Sequence, residues 1–401
     1  MKLLRQLGSM GGARGLEALI QAVLLILLAR ELGPTLFGIV AIYHAVHSVI
    51  FIVVGMNTAT FVVREEALGR PDLAHGALRM NSILLTCALG LLLAGSLYVA
   101  DKPLICLAVA ANAFGAWSQQ LGDNRLSLAL AHHKVRPSVT AVSARSISSL
   151  LVFLGLLSLH ANAALAFGVA RVGAGLVGLG LVFLLVPRAG KIEKASARRV
   201  TREQFPLAVA PGVAALRQFD TVIVTLISGL AASGLYSAVS RIASPLVLFS
   251  AAINPVVIPR VAKAPQDKVV KLFDLLFVGL ILLTLLPLAL IPCAEWMVVS
   301  IFGLEFSGGG VVMIWMLLRV GEVTIGPVLA GILQARRLDR TVAVNAVLFT
   351  AFMLIGTLVG ALHSGAAGAA AGVAIVGLLG RTRLWLVGRR LLRNSEGQTK
   401  G

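Results

Sequence analysis

Leu32-Gly33-Pro34-Thr35-Leu36-Phe37-Gly38-Ile39 separates two long apolar stretches, residues 8–32 before it and 35–62 after it. Glycine and proline punctuate regular structure. Each flank is long enough to cross about 30 Å of hydrocarbon, which takes ~20 mostly apolar residues. The octet therefore reads as a tight connection between two membrane-spanning helices. A second octet, Ser228-Gly229-Leu230-Ala231-Ala232-Ser233-Gly234-Leu235, lies 196 residues further on, between apolar windows 205–229 and 231–259. At that shift Gly33 falls on Gly229, Gly38 on Gly234 and Arg64 on Arg260. The shift is close to half of the 401 residues, so an internal duplication is expected.

Working outward, eight more windows have the length of a span: 79–99, 103–121, 138–159, 163–186, 269–291, 308–333, 341–361 and 364–386. Long apolar runs do not fit barrel strands, which alternate over about ten residues. The expectation is an all-α integral membrane protein with twelve transmembrane helices in two six-helix lobes, 1–187 and 205–388. A basic linker, 188–204, joins the lobes, and a basic tail follows at 389–401. Six spans per half is even, so the halves form a parallel repeat about an axis along the membrane normal, an arrangement common in transporters that bind substrate near the midplane.

Composition agrees. The chain is 58% hydrophobic and 13% charged, about half the charged fraction of a soluble domain. Collagen-like, disordered and disulfide-rich classes are excluded. Cys87, Cys106 and Cys293 show no metal or redox spacing and read as small buried hydrophobes. The net charge of +18 would point to nucleic acid in a soluble protein. With the N-terminus inside, however, 25 of the 35 Lys and Arg fall on the cytoplasmic side and only Arg30 and Lys102 on the other. Positive loops stay cytoplasmic, so the charge is a topology signal that places both termini in the cytoplasm. Lys2 and Arg5 ahead of an apolar stretch resemble a signal peptide, but the stretch is long enough to span and no cleavage site follows.

Eight arginines fall inside spans: Arg14, Arg145, Arg171, Arg217, Arg241, Arg319, Arg381 and Arg383. Arg381 and Arg383 lie near a cytoplasmic end and can snorkel. The others need a polar cavity or a partner, because arginine at a helix centre costs about 2.5–3.5 kcal/mol on insertion scales. Arg14-x-x-Glu17, Arg217-x-x-Asp220 and Arg319-x-x-Glu322 share one spacing that puts acid and base on one helix face. These acids can simply neutralise their arginines, or they can carry a coupling ion. Arg145, Arg171 and Arg241 have no local acid, and the surplus positive charge suits an anionic ligand. Arg217 and Arg319 sit roughly 16–18 Å into their spans. Guanidinium groups grip phosphate oxygens bidentately and stay charged when desolvated. Arg217 and Arg319, helped by Arg14 and Arg241, are the candidate ligands for a phosphate or pyrophosphate head group.

The prolines divide unequally. Pro34, Pro71, Pro103, Pro137 and Pro187 lie at span ends or loops, whereas Pro211, Pro245, Pro255, Pro287 and Pro327 lie inside spans. The latter read either as packing kinks or as hinges, with Pro211, Pro255 and Pro327 the hinge candidates. His44-x-x-His47 has metal-like spacing but no third ligand, so no metal is expected. Gly368-x-x-x-Gly372 and the glycines from Gly173 to Gly180 read as close helix packing. No nucleophile triad, acidic metal cluster or phosphate loop occurs, so an enzyme is not expected, and no cofactor beyond a coupling H⁺ or Na⁺.

Leu28-Ala29-Arg30-Glu31-Leu32-Gly33-Pro34-Thr35-Leu36-Phe37-Gly38 resembles the first-loop signature of polysaccharide-export flippases, the O-antigen flippase group of the multidrug/oligosaccharidyl-lipid/polysaccharide (MOP) exporter superfamily. Asp220 to Val224, Gly234-Leu235-Tyr236-Ser237-Ala238 through Asn254-Pro255 to Pro259-Arg260, and Ile301-Phe302-Gly303-Leu304-Glu305-Phe306 match in order. Val40 departs from the pattern, since Tyr often stands there, as Tyr236 does in the second copy. The resemblance implies a V-shaped transporter in the bacterial cytoplasmic membrane. It also implies a polyprenyl-pyrophosphate-linked oligosaccharide as substrate, moved by alternating access, and polysaccharide polymerase and chain-length proteins as partners. Asp220, Glu322 or Glu17 would bind the coupling ion. A multidrug extruder of the superfamily would favour acids over arginines. A peptidoglycan-precursor flippase usually has two further helices. A membrane-embedded polymerase or ligase would need a larger outer loop than Cys293 to Gly308.

Overall fold

The computed structural model describes residues 2–99, 101–132, 134–186, 195–243, 261, 264–336 and 338–394. The helices are α1 (Lys2–Gly55), α2 (Thr58–Ala67), α3 (Pro71–Ser96), α4 (Pro103–Ala131), α5 (Arg136–Ser158), α6 (Ala163–Leu185) and α7 (Ala197–Ala215), followed by α8 (Phe219–Ala243), α9 (Gln266–Leu285), α10 (Ala294–Phe302), α11 (Gly309–Leu318), α12 (Val320–Ala335) and α13 (Asp339–Asn394). Among the described residues nine helical stretches are long and apolar enough to cross a membrane. Three of them break where the sequence places a boundary between spans: at Gly33 in α1, Gly229 in α8 and Ser364-Gly365 in α13. Proline starts α3 and α4 and is the second residue of α5, where its missing N–H costs nothing. Pro211 and Pro327 lie within α7 and α12. Pro245, Pro255 and Arg260 lie outside the described residues, as does linker segment 188–194.

The surface is apolar at mid-helix. Leu91, Leu151, Leu226, Leu282 and Leu362 stand exposed, while Asn81, Asn124, Arg145 and Glu322 are buried. In water this would be a costly inversion. Facing lipid, the exposed leucines lose nothing, and the polar groups must find partners inside the protein. Cys87, expected in the core, is among the exposed residues.

The chain divides into two compact units, residues 1–32 with 39–219, and 33–38 with 220–401. In the first, α6 packs on both α4 and α5. Helix α7 belongs to this unit, although the sequence begins a new lobe at residue 205. Val200 joins Phe61, Val62, Leu73, Ala74 and Ala77 in a buried cluster, and Gln204 donates to Thr58 Oγ1 and to Met56 O. These contacts fasten α7 to α2 and α3.

In the second unit, α9 packs on α12 around Phe273, Leu329 and Leu333. The duplication is visible here in backbone geometry. Gly33 (φ 69°, ψ 171°) and Gly229 (φ 86°, ψ 175°) hold the same conformation, which only glycine adopts readily. A Cβ on Gly38 would strike Leu230 O, and one on Gly234 would strike Pro34 O. Pro34 and Leu230 are themselves separated by the 196-residue shift, so equivalent residues exchange equivalent contacts, the signature of a two-fold relation. The two arms of α13 also meet through glycine backbones, Gly356 against Gly372 and Gly360 against Gly368. That is the close packing expected of Gly368-x-x-x-Gly372. In the Gly173 to Gly180 run, Gly175 and Gly178 pack against Ser118 and Arg145, while Gly173 and Gly180 face open space.

Candidate functional site

Arg14 and Glu17 occupy one face of α1 and pair at 2.8 Å, as their spacing predicts. Chains distant in sequence complete the network. Arg14 Nη2 reaches Asp123 Oδ2 of α4 at 2.9 Å, and Arg145 of α5 bonds Glu17 Oε1 and approaches Asp123 Oδ1 at 3.5 Å. Gln119 Nε2 donates to Glu17 Oε1 at 3.3 Å. Arg145, which has no acid near it in sequence, thus has two from other helices. Its side chain is 8% exposed, and a buried pair stripped of one partner would leave a desolvated charge. Asp123 was not foreseen, because its partners Arg14 and Arg145 lie on other helices and no local spacing pairs it with them.

The second unit holds a comparable group. Arg319 Nε donates to Glu322 Oε2 at 3.4 Å, again at the predicted spacing. Arg381 Nη2 approaches Glu322 Oε1 at 3.7 Å. Arg381 therefore turns inward to a carboxylate instead of snorkelling, with Gly326 leaving room for its guanidinium. Arg383 likewise donates to Asn345 Oδ1 at 2.9 Å. Asp220 accepts from Tyr236 Oη at 2.8 Å and from the Thr221 backbone at 2.5 Å. Arg319 and Arg241 lie within electrostatic reach of Asp220. Tyr236 is a site residue that spacing alone did not single out.

Two of the candidate ligands share a backbone setting. Arg217 lies in a 3₁₀ turn, Leu216–Gln218, between α7 and α8. Arg319 is the single residue between α11 and α12. Asp220 and Glu322 then fall in the first turn of the helix that follows, where a carboxylate complements the helix dipole. Two of the three Arg-x-x-acid pairs thus fall where a membrane helix tightens or changes segment, and the third, Arg14 with Glu17, lies in the continuous body of α1. Arg217 belongs to the first unit and Arg319 to the second.

Near Arg217 in the first unit, a cavity of about 420 Å³ is lined by Ile52, Gly55, Asn57, Gln120, Pro211, Ala214, Ala215 and Gln218. Its polar groups are neutral amides. Gln120 continues inward through Asn124 to Asn81, which donates to Val54 O. His44 and His47 meet Asn112, whose Nδ2 lies 3.4 and 3.2 Å from their ring nitrogens. The third polar group at the histidine pair is thus an amide. His132 lies 3.8 Å from Glu66.

Residues 3–264 match the sequence model of a family described as polysaccharide biosynthesis protein. No curated protein matches the chain. Among solved structures, an inward-facing multidrug resistance MATE family transporter of the MOP superfamily is similar at TM-score 0.74 and 12% identity, covering 95% of this chain and 96% of that one. The lipid II flippase MurJ, in an inward closed conformation, is similar at TM-score 0.73 and 13% identity, over 94% of this chain and 87% of MurJ. A MOP superfamily transporter from Pyrococcus furiosus, described by the reverse polarity of its binding pocket, is similar at TM-score 0.63 and 11% identity, over 97% and 96%. The fold is that of MOP-superfamily transporters, and the chain is a multi-pass membrane protein.

Proposed function

We propose that this chain, which belongs to the family of polysaccharide biosynthesis proteins, is a flippase that carries a polyprenyl-pyrophosphate-linked oligosaccharide across the bacterial cytoplasmic membrane. The observation that carries the reading is the placement of Arg217 in a 3₁₀ turn and of Arg319 at the join of two helical segments, each inside a stretch apolar enough to cross a membrane. Two guanidinium groups grip phosphate oxygens through bidentate charge-assisted bonds and stay charged when desolvated. A pyrophosphate offers oxygens enough to use both. The amide-lined cavity supplies what the other end of such a substrate needs, because Asn57, Gln120 and Gln218 donate and accept hydrogen bonds without charge. Saccharide hydroxyls have that requirement.

In this mechanism Arg217 and Arg319, helped by Arg14 and Arg241, bind the pyrophosphate while the lipid tail stays in the bilayer. Alternating access then releases the head group on the far side, with bending at Pro211, Pro255 and Pro327. Protonation or Na⁺ binding at Asp220, Glu322 or Glu17 loosens the paired arginine and couples transport to an ion gradient. Both termini face the cytoplasm, and the product passes to polysaccharide polymerase and chain-length proteins. The test is complementation. In a host lacking the gene, the wild-type chain restores surface polysaccharide and the Arg217→Ala/Arg319→Ala variant does not, at matched membrane levels. Full restoration by the variant would remove the arginines from the mechanism.

A further inference from the structure

We infer that the first unit binds a single halide-sized anion, chloride being the abundant one, in the cavity lined by Arg171 and Ser149. Arg171 lies in the interior of α6, itself a candidate span. Both carboxylates of the neighbouring network are engaged by Arg14 and Arg145. Three guanidinium groups thus face two carboxylates, and one positive charge is left over. A water molecule could satisfy hydrogen bonds here but would not balance that charge.

Among the described residues, two buried polar groups beside this network lack partners. Arg171 Nε is inaccessible to solvent and has no hydrogen-bond partner among the described residues, and the same holds for Ser149 Oγ. Buried polar groups in proteins are normally paired. Both residues line one cavity, with Arg145, Ser146, Gln21 and Gln119 contributing further donors. Glu17 also lines it, but its two oxygens are taken by Arg14 and Arg145. One edge of the Arg171 guanidinium lies flat on α4, where a Cβ at Gly115 would stand 3.0 Å from Nε and 3.2 Å from Nη2. The cavity measures about 20 Å³, close to the space that one water-sized particle occupies. Neither Arg217 nor Arg319 lines it, so this site is separate from the pyrophosphate contacts proposed for them. The bound anion would tie α5 to α6 beside α1 and α4.

Purified full-length protein, held in gluconate and titrated with ³⁶Cl-labelled chloride by equilibrium dialysis, tests this. The expected result is saturable binding of one chloride per chain, competed by bromide and not by inorganic phosphate or pyrophosphate. Arg171→Gln should weaken binding by about tenfold or more, the scale of one lost charge-assisted contact, and Ser149→Ala by a smaller factor. Arg319→Gln should leave it unchanged, so failure of the flippase reading and failure of this one are separable. No saturable chloride binding by the wild type would overturn the inference. So would undiminished binding in Arg171→Gln, or in Ser149→Ala should the arginine variant not fold. Displacement of chloride by phosphate would assign the cavity to a phosphate group instead.

Discussion

Glu17 accepts from Arg14, Arg145 and Gln119, so removing any one of these charges leaves the others short of a partner in an apolar interior. Arg145→Gln or Glu17→Gln should each lower stability by about 3–5 kcal/mol, read as a drop in the unfolding temperature of the purified protein. The double variant Glu17→Gln/Arg145→Gln should be much less damaged than the sum of the two. Additive losses would mean that the residues do not act as a network. At Arg319 the shape of the group matters as well as its charge. Arg319→Lys keeps the charge but loses the planar fork, and export should fall well below wild type at equal protein level. The local half of both networks was legible, since an arginine and an acid three apart on a helix must share a face. The distant half was not. Asp123 and Arg381 reach Glu17's neighbourhood and Glu322 only through tertiary packing, and nothing in a single sequence pairs residues that lie on separate helices.

At the scale of elements, glycine sets where helices break and where they touch. The positive φ at Gly33 and Gly229 and the reciprocal contacts of Gly38 and Gly234 make four positions intolerant of side chains. Gly38→Val and Gly234→Val should each destabilise by at least the ~1–3 kcal/mol typical of overpacking, measured as loss of folded protein on mild heating. Their double variant should cost less than the sum, because both open the same crossing. Gly360→Leu should likewise separate the arms of α13, whereas Gly173→Ala, which meets open space, should be neutral. The breaks at Gly33 and Gly229 were visible in sequence because glycine there interrupts a run too long for one span. The turn at Leu216–Gln218 was not, since Leu-Arg-Gln carries no breaker. The attachment of α7 to the first unit was equally hidden, because it depends on Val200 and Gln204 finding Phe61 and Thr58.

For the molecule as a whole, the deficit of charged residues and the exposed leucines have one cause, a lipid solvent that rewards apolar surface and forces polar groups to pair within the protein. The same solvent makes each intramembrane arginine informative, because an arginine without use would be expensive to retain. The most direct measurement follows the cargo. Liposomes containing the purified protein are loaded with a polyprenyl-pyrophosphate-linked oligosaccharide, and the fraction of sugar accessible to an external glycosidase is followed in time. The wild-type chain should raise the accessible fraction well beyond that of protein-free vesicles, and Arg217→Gln/Arg319→Gln should not. If wild-type vesicles behave like empty ones toward this substrate while moving an organic cation, the flippase reading is wrong and the chain is a cation extruder.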